Sequence, residues 1–342
     1  MGRNDSAKKM LASPAQQAYP LAMPSSAAAI ESKDQLSSAS HSDNTSRLLP
    51  ICAQLNTEPS PNTAAELYLD LMKKALTRAL VAKPLERHRF VPTVPLRRKI
   101  VGHTQRFLRR ANLEIVRLVP NGPADYLESG HMAQNRAEDA ETMLGLRQLD
   151  NMQACIKDVL DNNIPGDLVE AGVWRGGMTV FMRAALSAFG DTSRQVWVLD
   201  SFEGLPQLDR SRETFEWEAG DMAVSLDEVK ANFARYGLLD ERVHFLKGFF
   251  NQTLPQNPIG PISILRIDAD LYQSTVDVLT HLYARLSPGG YAIFDDYHNL
   301  PDCRRAIEEF RQQNAITCEL KTIDKRAVYW KKSALARAAA SA

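Results

Sequence analysis

The sequence has no cysteine pair at C-x-x-C spacing; its four cysteines, Cys52, Cys155, Cys303 and Cys318, lie far apart. A zinc knuckle, a redox dithiol and a disulfide framework are not indicated, and reduced cytoplasmic thiols are the expectation. The chain also lacks net charge, with 41 basic and 41 acidic side chains among 342 residues. That removes any global bias toward nucleic acid or an anionic membrane surface. No apolar run approaches the roughly 18 residues needed to span a bilayer. The N-terminus lacks the apolar stretch of a signal peptide, and no internal repeat is visible. There is no G-x-G-x-x-G, so a dinucleotide site loses its main support.

Residues 1–62 are short of aromatics and rich in Ser, Ala, Pro, Asn and Gln. Such a segment cannot bury enough apolar area to offset its ordering entropy, so a disordered tail is expected, with a partner-binding segment as the alternative. A helix is predicted from Thr63, with Leu67, Leu71 and Ala75 on its apolar face and an end near Pro84. The stretch 85–119 is strongly basic, carrying Arg97, Arg98, Lys99, Arg106, Arg109, Arg110 and Arg117. It reads as a solvated helix face or as a surface for an anionic partner. Asn121-Gly122-Pro123 is a breaker, and Met143, Leu146, Leu149, Met152 and Ile156 give helical spacing over 140–160.

Short apolar runs then alternate with helical patterns. Strands are predicted at 167–170, 196–200, 243–246, 262–267 and 291–294. Helices are predicted near 179–189, 226–236, 276–286 and 302–312. Residues 318–323 and 327–330 read as a terminal hairpin. This alternation argues an α/β fold with a doubly wound, Rossmann-like sheet. The expected divisions are a tail (1–62), a helical extension with a basic insertion (63–140), the α/β domain (141–332) and a flexible C-terminal tail (333–342).

The most telling window runs from Ile262 to Tyr297. Two β-rich runs each end in paired acids, Asp268 with Asp270 and Asp295 with Asp296. In open α/β sheets ligands bind beyond the carboxyl ends of the strands. Four carboxylates would meet at one rim, where repulsion is costly unless a cation or proton intervenes. A hard divalent metal is the simplest resolution.

Earlier in the chain, Glu170-Ala-Gly172-Val-Trp174-Arg175-Gly176-Gly177 sits at a strand-to-helix turn. Glycines there permit close approach of a ligand, or serve only a tight turn. Asp200, ending the next strand, stands where an acid accepts bonds from ribose hydroxyls. Together they imply an adenosine-containing cofactor. An acid heading the first motif suits an ammonium and a sulfonium, which points to S-adenosylmethionine rather than NAD.

These residues resemble the macrocin O-methyltransferase (TylF-like) family of metal-dependent enzymes that methylate sugar hydroxyls. The resemblance rests on Leu67-Tyr-Leu-Asp-Leu71, Glu141-Thr-Met-Leu-Gly-Leu-Arg147, Val169 to Gly177, Asp200-Ser-Phe-Glu-Gly-Leu-Pro206, Val224 to Lys230, Asp268-Ala-Asp-Leu-Tyr-Gln-Ser-Thr275, and Gly289-Gly-Tyr291 leading to Asp295-Asp-Tyr297. The polar tail and the basic 85–119 segment depart from the family pattern.

The resemblance implies that Asp268, Asp295 and Asp296 hold Mg²⁺, with Asp270 as general base; a helix N-cap is the alternative for Asp270. It implies that Glu170, Gly172, Gly176, Asp200 and Ser201 form the cofactor pocket, with Thr142 and Met143 at its methionine end; core packing is the alternative for Met143. Residues 220–225 are read as a mobile lid. His298 is read as a substrate contact, a supporting bond to the site or a surface histidine, and His244 and His281 as core or surface residues. The implied substrate is a small, glycosidic molecule offering a hydroxyl, and a homo-oligomer is expected. Two rivals remain at this point: a nucleotide-dependent oxidoreductase on a similar sheet, and a non-catalytic scaffold.

Overall fold

The computed structural model describes residues 63–80, 85–89, 101, 104, 108, 116–120, 140–214 and 217–333. The expected tail 1–62, the breaker 121–123, most of the basic segment and the C-terminal tail beyond Ser333 lie outside the described residues.

The first helix, α1 (Ala64–Leu76), starts where the sequence predicts. The Thr63 hydroxyl accepts from the Glu66 amide, and the Glu66 carboxylate accepts from the Thr63 amide at 2.7 Å. This reciprocal capping box satisfies two amides that the first turn would otherwise leave open. The predicted apolar face is corrected, however. Leu67 and Leu71 are exposed, while Leu69, Met72 and Leu76 are buried in the core. The helical reading of 85–119 is corrected too, at both its ends. β1 (Leu85–Arg89) pairs antiparallel with β2 (Val116–Pro120), in register from Leu85 opposite Pro120 to Arg89 opposite Val116.

The helix predicted over 140–160 begins later. α2 spans Leu146–Asp161, with Gly145 extended at its N-cap. The Thr142 hydroxyl accepts from the Leu144 amide at 3.1 Å, a local turn that competes with helix. There follow β3 (Asp167–Ala171), α3 (Gly177–Ala188), β4 (Val196–Asp200), α4 (Leu226–Arg235), β5 (Val243–Lys247), the single turn α5 (Phe250–Thr253), β6 (Ile262–Ile267), α6 (Tyr272–Leu282), β7 (Leu286–Phe294), α7 (Pro301–Gln313), β8 (Lys321–Thr322) and β9 (Val328–Lys331).

Seven of these strands form one sheet in the order β5-β4-β3-β6-β7-β9-β8. The first five positions run parallel, and β9 and β8 close the edge as an antiparallel hairpin. All six residues of β6 are buried, as expected for a central parallel strand covered on both faces. One face packs Leu168, Val198 and Ile264 against Phe181 and Met152; the other packs Val169, Leu265 and Phe294 against Val278, Leu279 and Trp330. Chain order runs outward from β3 in opposite directions, so the β3–β6 junction is a topological switch point, where such sheets open a crevice. Among the described residues no helix is long and apolar enough to cross a membrane.

Candidate active site

A cavity of about 740 Å³ opens at the carboxyl ends of the five parallel strands. Gly172 follows β3, Asp200 and Ser201 end β4, Gly248 and Phe249 follow β5, Asp268 and Asp270 follow β6, and Asp295 and Asp296 follow β7; all line it. Met143 reaches the same wall from the extended stretch ahead of α2.

The glycine turn is built by close backbone approach. Gly172 has φ +84°, and a Cβ there would lie 1.7 Å from the Asp268 carbonyl oxygen. Beside it, Asp200 accepts from the Val173 amide at 2.9 Å and the Phe202 amide at 2.8 Å. Burial raises the Asp200 carboxyl against the pull of those amide bonds. The Ser201 hydroxyl donates to the Gly204 carbonyl at 2.6 Å and accepts from the Glu203 amide, so it shapes the following turn.

Three of the sequence-read cofactor residues are not among those lining the cavity. Thr142 is buried in its own turn. Gly176 caps α3 in a left-handed conformation, and a Cβ there would meet Val229 Cγ1 at 2.8 Å. Glu170 is buried on β3, with Oε1 accepting from Arg266 at 2.6 Å and Oε2 buried without a partner. Burial lifts its carboxyl to about 7, although Arg266 pulls the other way.

The acids behave unequally. Asp268, Asp270 and Asp296 bring one carboxylate oxygen each within 4.8 Å of one another. Burial, then repulsion from Asp295, raises Asp268; burial, then repulsion from Asp296 and Asp268, raises Asp270. Asp296 is the most deeply buried of the three, but Arg326 holds its carboxyl below the usual range. Asp295 is turned to two guanidiniums, accepting from Arg266 at 3.0 Å and Arg326 at 3.1 Å.

Asp270 is not the cap of α6, which corrects that alternative. Leu271 is the N-cap residue, and Asp270 stands before it with φ +56°. The open amides of Tyr272 and Gln273 are taken by Glu213 at 3.1 and 3.2 Å. The strand also stops at Ile267, so Asp268 and Asp270 share a rim without sharing a strand face.

Of the lid residues 220–225, Met222 lines the cavity and Ser225 caps α4, accepting from the Glu228 amide. His298 is exposed and lies outside the lining, and its amide donates to the Arg326 carbonyl. His244 stacks on Trp197 with ring centroids 4.6 Å apart, a contact on the sheet.

Sequence reasoning missed Arg266, Arg326, Gln148 and Glu213. Arg266 had a visible signal, a lone charge inside the apolar run Ile262-Ser-Ile-Leu-Arg-Ile267. The other three meet the site only through the fold.

Chemically, the arrangement joins a glycine cradle with a nearby acid to a rim of oxygen donors. All-carboxylate donors at this spacing suit a hard divalent cation. The mutual repulsion among them, and the partnerless buried Oδ2 of Asp296, are what such a cation would relieve.

A family model described as Macrocin-O-methyltransferase (TylF) matches residues 65–332. A tetracenomycin rhamnoside relative from Streptomyces olivaceus, named 8-demethyl-8-(2,3-dimethoxy-alpha-L-rhamnosyl)-tetracenomycin-C 4'-O-methyltransferase, is 42% identical over 79% of this chain and 94% of its own length. Mycinamicin III 3''-O-methyltransferase from Micromonospora griseorubida is 38% identical, over 80% of this chain and all of its own length (100%). Among solved structures, the O-methyltransferase NovP superposes with a TM-score of 0.60 at 38% identity, covering 79% of this chain and 99% of NovP.

Proposed function

The chain belongs to the macrocin O-methyltransferase family, and from that premise we propose that it transfers a methyl group from S-adenosylmethionine to a hydroxyl of a sugar or glycosylated natural product, with Mg²⁺ at the acidic rim. The observation that carries this reading is the shared cavity. One volume is bounded by the Gly172–Asp200 cradle and by the carboxylates after β6 and β7. The names of the tetracenomycin and mycinamicin relatives, the first carrying a rhamnosyl group, support a glycosidic substrate.

Gly172 would admit the cofactor against bare backbone, Asp200 would accept from its ribose hydroxyls, and Met143 would cover its methionine end. Asp268, Asp295 and Asp296 would hold the cation. When bound, the cofactor supplies an electrophilic methyl, and the cation lowers the pKa of a substrate hydroxyl. Asp270 takes the hydroxyl proton; burial, then repulsion from Asp296 and Asp268, makes its carboxylate a stronger base than a free aspartate. The apolar cavity wall, with Leu205, Leu208, Trp217 and Phe249, excludes water from the reacting groups. Holding nucleophile and methyl in line supplies up to about 7–11 kcal/mol of the barrier reduction.

One observation favours a second reading of the ligand set. Asp270 lies in the converging cluster, whereas Asp295 is engaged by Arg266 and Arg326. Titration of Mn²⁺ followed by electron paramagnetic resonance separates the two. If Asp270 is the base, Asp270→Asn keeps Mn²⁺ affinity and loses at least about 100-fold in kcat, while Asp295→Asn weakens Mn²⁺. The opposite pattern would make Asp270 the ligand. Normal turnover in both variants, at any Mn²⁺ concentration, would sink the metal reading altogether. The homo-oligomer expected from the family likeness is open to light scattering on the purified chain, and a monomer would end that expectation.

A further inference from the structure

Four acids, Glu170, Asp268, Asp295 and Asp296, bond to two guanidiniums, and the two are held in different ways. Arg266 is almost fully buried at the sheet centre. It donates to Glu170 at 2.6 Å, Asp268 at 2.9 Å, Asp295 at 3.0 Å and Gln148 at 3.3 Å. Glu170, Gln148 and Asp295 are themselves buried, so Arg266 is the less exchangeable of the two. Arg326 instead lines the cavity, on the turn between β8 and β9, with 17% of its side chain exposed. Its ion pairs run through a single nitrogen, Nη2, which is shared between Asp295 Oδ2 at 3.1 Å and Asp296 Oδ1 at 2.5 Å. Its Nε, like that of Arg266, is buried without a partner. A permanent arginine–carboxylate pair usually engages by two parallel N–H bonds. A hold through one nitrogen is easier to exchange.

The backbone under Arg326 is fixed, which confines the freedom to the guanidinium. Asp324 Oδ1 accepts from the Arg326 and Ala327 amides at 2.9 and 2.8 Å, and its Oδ2 accepts from Gln148 at 3.1 Å. The His298 amide donates to the Arg326 carbonyl at 2.9 Å. Gln148 in turn accepts from Arg266, so one chain of bonds ties the turn to the buried hub.

We propose that Arg326 is a resident counter-cation at the Asp295–Asp296 pair, which a divalent cation displaces from Asp296 on binding. The idea rests on the metal reading above. A cation taking the oxygens of Asp296 would share an acceptor with the guanidinium, and two positive charges at one carboxylate repel strongly in a poorly solvated site. The resident arginine keeps the empty rim from carrying uncompensated charge, and it weakens cation binding in return. Loading would release a positive guanidinium into the cavity.

The test measures Mn²⁺ affinity by electron paramagnetic resonance of the free ion. It uses the full-length chain, Arg326→Met and Arg326→Lys, with S-adenosylhomocysteine affinity by calorimetry as the control for folding. Arg326→Met is expected to bind Mn²⁺ at least tenfold more tightly, Arg326→Lys to stay within about threefold of the parent, and both to bind S-adenosylhomocysteine as the parent does. A residue that only held the carboxylates in place would give the reverse, weaker Mn²⁺ binding in Arg326→Met. Equal or weaker binding beside a parent that binds Mn²⁺ overturns the counter-cation and leaves the metal reading standing. No Mn²⁺ binding by any of the three, with S-adenosylhomocysteine still bound, overturns both. A second measurement needs no variant: arginine modification by phenylglyoxal, mapped by mass spectrometry. Mn²⁺ should raise labelling of Arg326 several-fold and leave Arg266 unlabelled; unchanged labelling of Arg326 would also overturn the proposal.

Discussion

At the scale of single residues the site is built by replacing freedom with contact. Gly172 is the sharpest case, because its positive φ and the Asp268 carbonyl at 1.7 Å from a notional Cβ leave no room for any side chain. The crossing is fixed on both sides, by the Gly172 amide donating to Leu199 and the Asp268 amide donating to Ala171, each at 2.8 Å. Gly172→Ala must therefore move either the cofactor turn or the acid that follows β6. We expect a loss of more than about 4 kcal/mol in urea unfolding, or no folded protein. A variant within 1 kcal/mol of the parent (about half a unit in log stability ratio per 0.7 kcal/mol) would mean that the turn is looser than described. The buried Arg266 teaches the complementary lesson. A lone charge in the central strand persists because three carboxylates and the Gln148 side-chain oxygen accept from it.

At the scale of elements, connections between helices and loops decide which faces are buried. The spacing of α1 is compatible with more than one apolar face, since Leu67 and Leu71 sit four apart, just as Met72 and Leu76 do. Contact with the neighbouring core selects Leu69, Met72 and Leu76, and periodicity alone could not choose. The link from α3 to the loop before β5 makes a second example. Arg183 is buried, and its Nε donates to both Asp240 oxygens at 3.1 Å. The Arg183 bond holds the Asp240 carboxyl below its ordinary value. A group depressed in the folded state adds stability above its unfolded pKa, near 3.9, and that contribution disappears as pH falls through the folded value. Asp240→Asn should thus cost about 2–3 kcal/mol at pH 7, mainly through the stranded guanidinium. The gap between parent and variant should narrow below about pH 4. Urea unfolding at pH 7 and pH 3 checks this, and a gap that grows in acid would refute the pairing.

For the whole molecule, the switch point of the sheet puts the glycine turn and the acidic rim around one cavity, so binding of the proposed cofactor there would stabilise the fold. S-adenosylhomocysteine at 100 times its Kd should stabilise the protein by about 2.7 kcal/mol. At roughly 2–4 °C per kcal/mol for a domain of this size, the melting temperature rises by about 5–10 °C. NAD⁺ should leave it unchanged. A shift with NAD⁺ and none with S-adenosylhomocysteine, read by differential scanning fluorimetry, would restore the oxidoreductase reading set aside for want of a dinucleotide fingerprint.

What the sequence determined by itself was local and periodic. Strand runs, their alternation with helices and the terminal hairpin follow from apolar spacing, and the family follows from contiguous motifs such as Asp268 to Thr275. The rim acids were legible because each pair ends a strand and must therefore face the same end of a parallel sheet. Only the tertiary structure decided how those acids divide. Arg266 is two residues from Asp268, yet it also reaches Glu170 on β3 and Asp295 beyond β7. Arg326 reaches Asp295 and Asp296 from an edge turn some thirty residues later. Charge compensation depends on distance in space, and a sequence records only distance along the chain.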